Sequence, residues 1–248
     1  MISVVILSHE RPRLLRQCIE SLYANTPQDQ FSACIVNDAG LDFRVGKYLR
    51  SLTHKNLTVL DVQNSGHVLA QLKNLGVFYT RQHFGTPEWL YIGDSDTAFL
   101  PGWSERMINM AVASEPMEFR LWGGQVHPFH HPIETLSNAS LELNMTEHSV
   151  LDGPSWFMRW KTWREIGPLS RTCAAGACQS EDAQWCSRLT KPVIGGSYRN
   201  ADKQRAAYRI GVASPHCVIH TGLTQSDGKL APGAAERRVL IPEGVITE

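Results

Sequence analysis

Trp89-Leu90-Tyr91-Ile92-Gly93-Asp94-Ser95-Asp96 is the stretch that decides the fold. Trp89 to Ile92 form an unbroken apolar and aromatic run, which predicts a short buried strand. The strand ends in two carboxylates separated by one small residue. Aspartates at the carboxyl end of a strand face the crevice where open α/β sheets bind ligands. Two hard oxygen donors placed there suit a Mn²⁺ or Mg²⁺ completed by phosphate oxygens and water. A solvated turn with helix-capping aspartates would use the same residues. The flanking chain decides between the two.

Upstream, Ile2-Ser3-Val4-Val5-Ile6-Leu7 predicts a strand buried on both faces. Ser8-His9-Glu10-Arg11-Pro12 breaks it. Leu14, Leu15, Cys18, Ile19 and Leu22 then recur at helical spacing, with Pro12 suited to the first turn. A second strand is expected at Ala33–Val36, ending in Asn37-Asp38, and a third at Leu57–Leu60, ending near Asn64-Ser65-Gly66. Leu69, Leu72, Leu75 and Gly76 mark the helix that leads to the Trp89 strand. Strand and helix alternating in this way predict an α/β fold, a Rossmann-like, doubly wound, mostly parallel sheet in a single domain. Polar residues follow three strands in succession: Ser8 to Arg11, Asn37-Asp38 and Asp94-Ser95-Asp96. No G-x-G-x-x-G or Walker loop is present, so an ordinary dinucleotide fold and a P-loop enzyme are both excluded.

Composition narrows the classes further. The chain has 248 residues, 42% of them hydrophobic, and a formal net charge of zero, so nothing pulls it in bulk toward nucleic acid or anionic lipid. The charge is unevenly spread. Residues 82–158 carry ten acidic and two basic side chains, and residues 159–215 carry ten basic and four acidic ones. This division suits a site whose metal ligands and anion-binding residues come from different segments. The six cysteines show no CxxC pair, and Cys18 and Cys34 fall on apolar faces as core thiols. Met1 leads directly into a strand, without a signal peptide, and no apolar run reaches the roughly 20 residues that span a bilayer. A cytoplasmic location is expected.

Six motifs now stand in order: I-S-V-V-I-L-S-H-E-R-P with L-L-R-Q-C-I-E-S-L, I-V-N-D-A-G, N-S-G with K-N-L-G, I-G-D-S-D-T-A-F-L-P-G-W, G-P-S-W-F-M-R-W-K-T-W-R-E-I-G, and S-E-D-A-Q-W-C-S-R-L. Over roughly residues 2–190 the chain resembles family-2 glycosyltransferases of the GT-A fold. The resemblance implies a metal-dependent, inverting transfer of a sugar from a nucleotide-sugar, a UDP-sugar in the first instance, to an acceptor hydroxyl. It implies one glycosyltransferase domain over residues 1–226. The nucleotide-binding half would cover about 1–100 and the acceptor and catalytic half about 101–226. Residues 227–248 are expected to form a C-terminal surface tail.

By the same resemblance, Asp38 would accept a hydrogen bond from the donor base. Ser8, Glu10, Asn64, Lys73, Asp94 and Ser95 would line the nucleotide pocket, although the family more often carries Asn or Asp where Glu10 stands. Asp96 would bind the metal, joined by Asp94 and by His220, which follows the short apolar strand Cys217-Val218-Ile219. Asp182 would be the general base and Glu181 its orienting neighbour, at the start of a helix through Trp185, Cys186 and Leu189. An acid pair also caps a helix start well, and the two roles are compatible. Trp156 and the cations Arg199, Lys203 and Arg205 would meet the acceptor or the diphosphate.

The basic run from Arg188 to Arg209 also fits solvated surface, or a track for an anionic acceptor such as DNA. A glycosyltransferase acting on a hydroxymethylated base in DNA is therefore one alternative. A nucleotide-sugar-binding module that does not catalyse is another. A nucleotidyltransferase would need a glycine-rich, basic signature after the first strand, and Ser8 to Pro12 is not one. Cys173–Cys178 has the composition of a loop that closes over substrate. His127-Pro128-Phe129-His130-His131-Pro132 reads as an acceptor-side loop, because its prolines exclude regular spacing.

Overall fold

The computed structural model describes residues 1–9, 11–38, 43–62, 69–124, 145–148, 155–170, 181–190, 207–213 and 217–220. Strand β1 (Ile2–Ser8) leads to helix α1 (Pro12–Asn25), β2 (Phe31–Asn37) to α2 (Phe43–Ser51), and β3 (Leu57–Asp61) to α3 (Leu69–Phe84). Next come β4 (Trp89–Asp94), the short β5 (Thr97–Phe99), α4 (Trp103–Ser114), a 3-10 turn at Glu115–Met117, and β6 (Phe119–Gly123). The rest comprises β7 (Met145–His148), β8 (Ser155–Arg159), α5 (Trp160–Ile166), α6 (Glu181–Thr190), β9 (Arg209–Ala213) and β10 (Val218–His220).

Every residue of β1 and β2 is buried, which is why both read as unbroken apolar runs. Pro12 opens α1, and the face formed by Leu14, Leu15, Cys18, Ile19 and Leu22 is buried as its spacing requires. Eight strands form one sheet in the order β3-β2-β1-β4-β8-β6-β9-β7. β1 runs parallel to β2 and β4, and β3 runs parallel to β2. β8 is wedged antiparallel between β4 and β6, β9 runs parallel to β6, and β7 closes the edge antiparallel to β9. β10 and β5 form a separate antiparallel pair.

The expected doubly wound, mostly parallel sheet in one domain is therefore present. One core layer joins one sheet face to α1, α2 and α4, and the other joins the opposite face to α3, α5 and α6. In the second layer α3 lies so close to the sheet that a Cβ on Gly76 would overlap Val5 and come within 2.7 Å of Val36 Cγ2. Only glycine lets this helix seat on β1 and β2. Cys18 and Cys34 are buried and unpaired, as expected of core thiols.

One sequence expectation needs correction. Trp156, expected beside acceptor or diphosphate, is fully buried in β8. β8 sits in the interior of the sheet, and this indole packs in the core layer beside α3, α5 and α6. The basic run, expected to fit solvated surface or a track for an anion, starts and ends in regular structure. Arg188 lies on α6 and donates to the Ile166 and Pro168 carbonyl oxygens, and Arg209 opens β9 with its guanidinium 4.3 Å from the Phe119 ring centre. Arg199, Lys203 and Arg205 lie outside the described residues. So do Glu10, Asn64, His127–Pro132, Cys173–Cys178 and the 227–248 tail. Among the described residues no helix is long and apolar enough to cross a membrane.

Candidate active site

The carboxyl ends of four parallel strands meet along one rim. The register aligns Ser8 with Asn37, Asn37 with Asp61, and Leu7 with Asp94. The ladder continues one residue past each strand: Asp38 N–H donates to the Ser8 carbonyl oxygen (2.8 Å), Val62 N–H to that of Asn37 (2.9 Å), and Ser95 N–H to that of Leu7 (2.9 Å). Asp38, Asp94, Ser95 and Asp96 therefore leave the sheet at one level, at the place where such sheets bind ligands.

The floor of the rim has unmet hydrogen-bonding capacity. Ser8 Oγ and Asn37 Oδ1 are buried and have no hydrogen-bond partner among the described residues, while Asn37 Nδ2 donates to Asp61 Oδ1 at 2.7 Å. Buried polar atoms left unpaired cost about 1–3 kcal/mol each, so neighbouring orphans mark a place where a ligand or ordered water belongs. Asp38 stands beside them. His9 Nδ1 is 3.0 Å from the Asp38 carbonyl oxygen and 3.7 Å from its carboxylate. Sequence reasoning selected Ser8 and Asp38 but gave no role to His9 or Asn37. Their position in the S-H-E-R-P and V-N-D segments was the signal.

Asp96 is nearly buried at 9% exposure, and its Oδ2 accepts from the Arg11 guanidinium at 3.1 Å. Arg11 adopts a left-handed backbone (φ 61°) immediately before Pro12. A non-glycine residue in that region costs about 1–2 kcal/mol, and proline after it narrows the choices further. An outlier of this kind at a strand-to-helix turn marks a site where geometry outweighs comfort. The sequence reading placed Arg11 only in a break between elements. Its partner lies 85 residues away, and no local pattern could link the two.

Helix α1 holds the turn from beneath. Ser21 Oγ accepts from Phe99 N–H (3.0 Å), and Asn25 Nδ2 donates to the Phe99 carbonyl oxygen (2.8 Å). β5 is thus fastened to α1 on one side and paired with β10 on the other. That pairing sets His220 opposite Thr97, the residue after Asp96. Among the described residues no three His, Cys, Asp or Glu side chains form a metal cluster. Burial pushes the Cys18 thiol, which approaches the Asp94 carbonyl oxygen at 3.9 Å, well above its ordinary range, and the charge of Asp96 adds to the shift.

Lys73 and the expected catalytic helix converge on one indole. Lys73 is buried on α3, with its ammonium 5.5 Å from the centre of the Trp156 ring. Trp185 packs against the same Trp156, centroids 5.0 Å apart, and donates from Nε1 to the Gly167 carbonyl oxygen at 2.8 Å. Glu181 and Asp182 open α6, about one turn before that anchor. Trp156 pairs in register with Ile92, two residues before Asp94. Its place is structural: it packs under Lys73 and against the first turns of α6.

The glycosyl transferase family 2 model matches residues 3–145. Among solved structures, S. aureus TarS (residues 1–349) shares the fold with a TM-score of 0.56 at 15% identity, over 88% of this chain and 59% of that one. The mannosyltransferase PcManGT from Pyrobaculum calidifontis, in complex with GDP-Man and Mn²⁺, gives a TM-score of 0.52 at 12% identity, over 86% and 56%. The chain thus spans less than two thirds of the length of these proteins, and at such identities the likeness is one of fold. No curated protein matches it.

Proposed function

Because the chain belongs to glycosyl transferase family 2, we propose that it transfers a sugar from a nucleotide-sugar to an acceptor hydroxyl with inversion at the anomeric carbon. The observation that carries this is the convergence of Ser8, Asp38, Asp94 and Asp96 on one rim, with His220 paired beside them. Ser8 and Asn37 supply the unmet polar atoms that a nucleotide base would satisfy, and Asp38 accepts from that base. Asp96, Asp94 and His220 hold Mn²⁺ or Mg²⁺. Two carboxylates and an imidazole are a donor set suited to either ion, and to Mn²⁺ in particular. The ion supplies charge stabilisation on the leaving diphosphate.

Arg11 sets the orientation of the Asp96 carboxylate and limits its motion. On the acceptor side, Asp182 takes the proton of the attacking hydroxyl while the bond from the anomeric carbon to the diphosphate oxygen breaks. Glu181 orients the acceptor. UDP-sugar is the first donor to test. GDP-mannose is the second, because a protein of the same fold is known with GDP-Man and Mn²⁺.

Incubating the protein with a panel of UDP- and GDP-sugars and following donor turnover by mass spectrometry tests the reading. Asp96→Ala should abolish turnover, and His220→Ala should weaken Mn²⁺ binding, followed by electron paramagnetic resonance, by about tenfold. An unchanged Mn²⁺ affinity in His220→Ala removes that residue from the metal site. Turnover by Asp96→Ala at the parent rate removes the metal role of the turn.

A further inference from the structure

A concavity between the first two helices is lined by none of the residues assigned above to sugar transfer. α1 and α2 enclose a pocket of about 520 Å³ whose wall brings Arg13 and Arg16 together with Arg44 and Lys47, above Tyr48 and Ser51. Among the described residues no acidic side chain lines it. Each helix contributes its two cations at a spacing of three residues, so each pair shares a helix face. Like charges so placed on one helix face repel one another, and facing the two pairs across a cleft adds to the repulsion.

Neither helix carries an acid in its first turn. Both begin at the carboxyl end of the sheet, so both positive dipole ends lie toward the same side. The Arg16 guanidinium is 5.0 Å from the centre of the Tyr48 ring, which holds it on the pocket wall. Glu20, one turn along α1 from Arg16, faces Tyr48 from outside the lining. A concave, cationic wall with no acid among its described residues is complementary to an anion.

We infer that the pocket between α1 and α2 is a second anion site, distinct from the Asp94–Asp96 cleft, that takes the phosphate of a small phosphorylated molecule of sugar-phosphate size. The volume falls in the range of about 300–1,000 Å³ typical of small-molecule sites. A nucleic acid would need an extended track, and the four cations are gathered in one depression. Arginines on two sides provide paired donors for phosphate oxygens, and Lys47 adds a point charge. This inference is independent of the sugar-transfer reading.

The test is calorimetry of the full chain with glucose 6-phosphate, with EDTA present so that the carboxylate cleft holds no metal, and at constant ionic strength. The parent should bind glucose 6-phosphate and not glucose. Arg16→Gln/Lys47→Gln should bind about tenfold more weakly or worse, as loss of charge-assisted hydrogen bonds entails. Arg16→Lys/Lys47→Arg should retain most of the affinity. All four cations are exposed, so the double variant should fold, with a denaturation midpoint equal to or above the parent's. Lys47→Gln alone is the fallback, with the same direction expected. Equal binding by parent and double variant overturns the inference, as does glucose 6-phosphate binding no better than glucose. A short DNA duplex that binds through Arg16 and Lys47 where glucose 6-phosphate does not would also overturn it, in favour of a nucleic-acid surface.

Discussion

The chain up to Asp94 and the chain beyond it are built on different rules. Residues 1–94 contribute β1 to β4 as parallel strands, each joined to the next by a helix, and every one ends at the rim of the candidate site. Residues 95–220 add β8 antiparallel into the middle of the sheet, β6, β9 and β7 beyond it, and a two-stranded pair at the side. In the first part, position along the chain determines position at the site. In the second, β8, α6 and β10 take their places through contacts made across long stretches of sequence. Donor recognition should therefore depend on local sequence, and catalysis on long-range packing.

The largest effect expected from separating the two parts is on transfer itself. Asp182→Asn should leave donor binding intact, because the rim of Ser8, Asp38 and Asp94 lies in the other part. Transfer should fall by about 10²–10⁴-fold, the contribution of a general base. Donor affinity by calorimetry and transfer by mass spectrometry read the two separately. Transfer near the parent rate would move the base to Glu181, and a parallel loss of donor affinity would show that the two parts are not separable.

Two glycines sharpen the contrast at the next level. Gly76 seats α3 on β1 and β2, so Gly76→Ala should cost about 1–3 kcal/mol of stability by overpacking, read as a lowered urea midpoint. Gly124 follows β6. A Cβ there would lie 2.7 Å from Val218 Cβ and 2.9 Å from Ser155 Oγ, and its carbonyl oxygen accepts from Cys217 N–H at 3.2 Å. Gly124→Ala should therefore displace β10, which carries His220. It should weaken Mn²⁺ binding beyond what its stability loss explains, whereas Gly76→Ala should leave Mn²⁺ affinity alone. Identical profiles for the two variants would remove the distinction.

The same contrast explains what the sequence revealed. β1, β2 and β4 announced themselves because both faces are covered and each run is apolar without a gap. The opening of α1 was legible in Pro12 and its apolar spacing. By contrast, α2 buries only Val45 and Leu49 across nine residues, too few for a periodic signal. β8 passes directly into α5 at Trp160 with no glycine or proline between them, so no local break separates the strand from the helix, and the acceptor role of Trp156 rested on the resemblance alone. Asp94 and Asp96 were legible as a turn, but the Arg11 guanidinium on Asp96 was not. A left-handed backbone at an arginine has no local signature.

Cysteine protection offers the finest measure of whether the two parts open together. Cys18 and Cys34 sit in the first part, Cys186 and Cys217 in the second, and all four are buried. Burial pushes the Cys34 and Cys217 thiols up to about 12, so at about pH 9, where a free cysteine is largely thiolate, both stay protonated and unreactive while folded. Alkylation by iodoacetamide therefore reports opening. Cys34 lies in β2, in the interior of the sheet, and its modification should require global unfolding, with a steep dependence on urea. Cys217 adjoins a two-stranded pair whose strands have three residues each. A pair so short should open sub-globally, with a shallower urea dependence and at a lower concentration. Mass spectrometry of peptides after timed alkylation reads each cysteine separately. If Cys217 and Cys34 show the same urea dependence, the strand pair opens only with the whole sheet, and the placement of His220 is then as firm as that of Asp38.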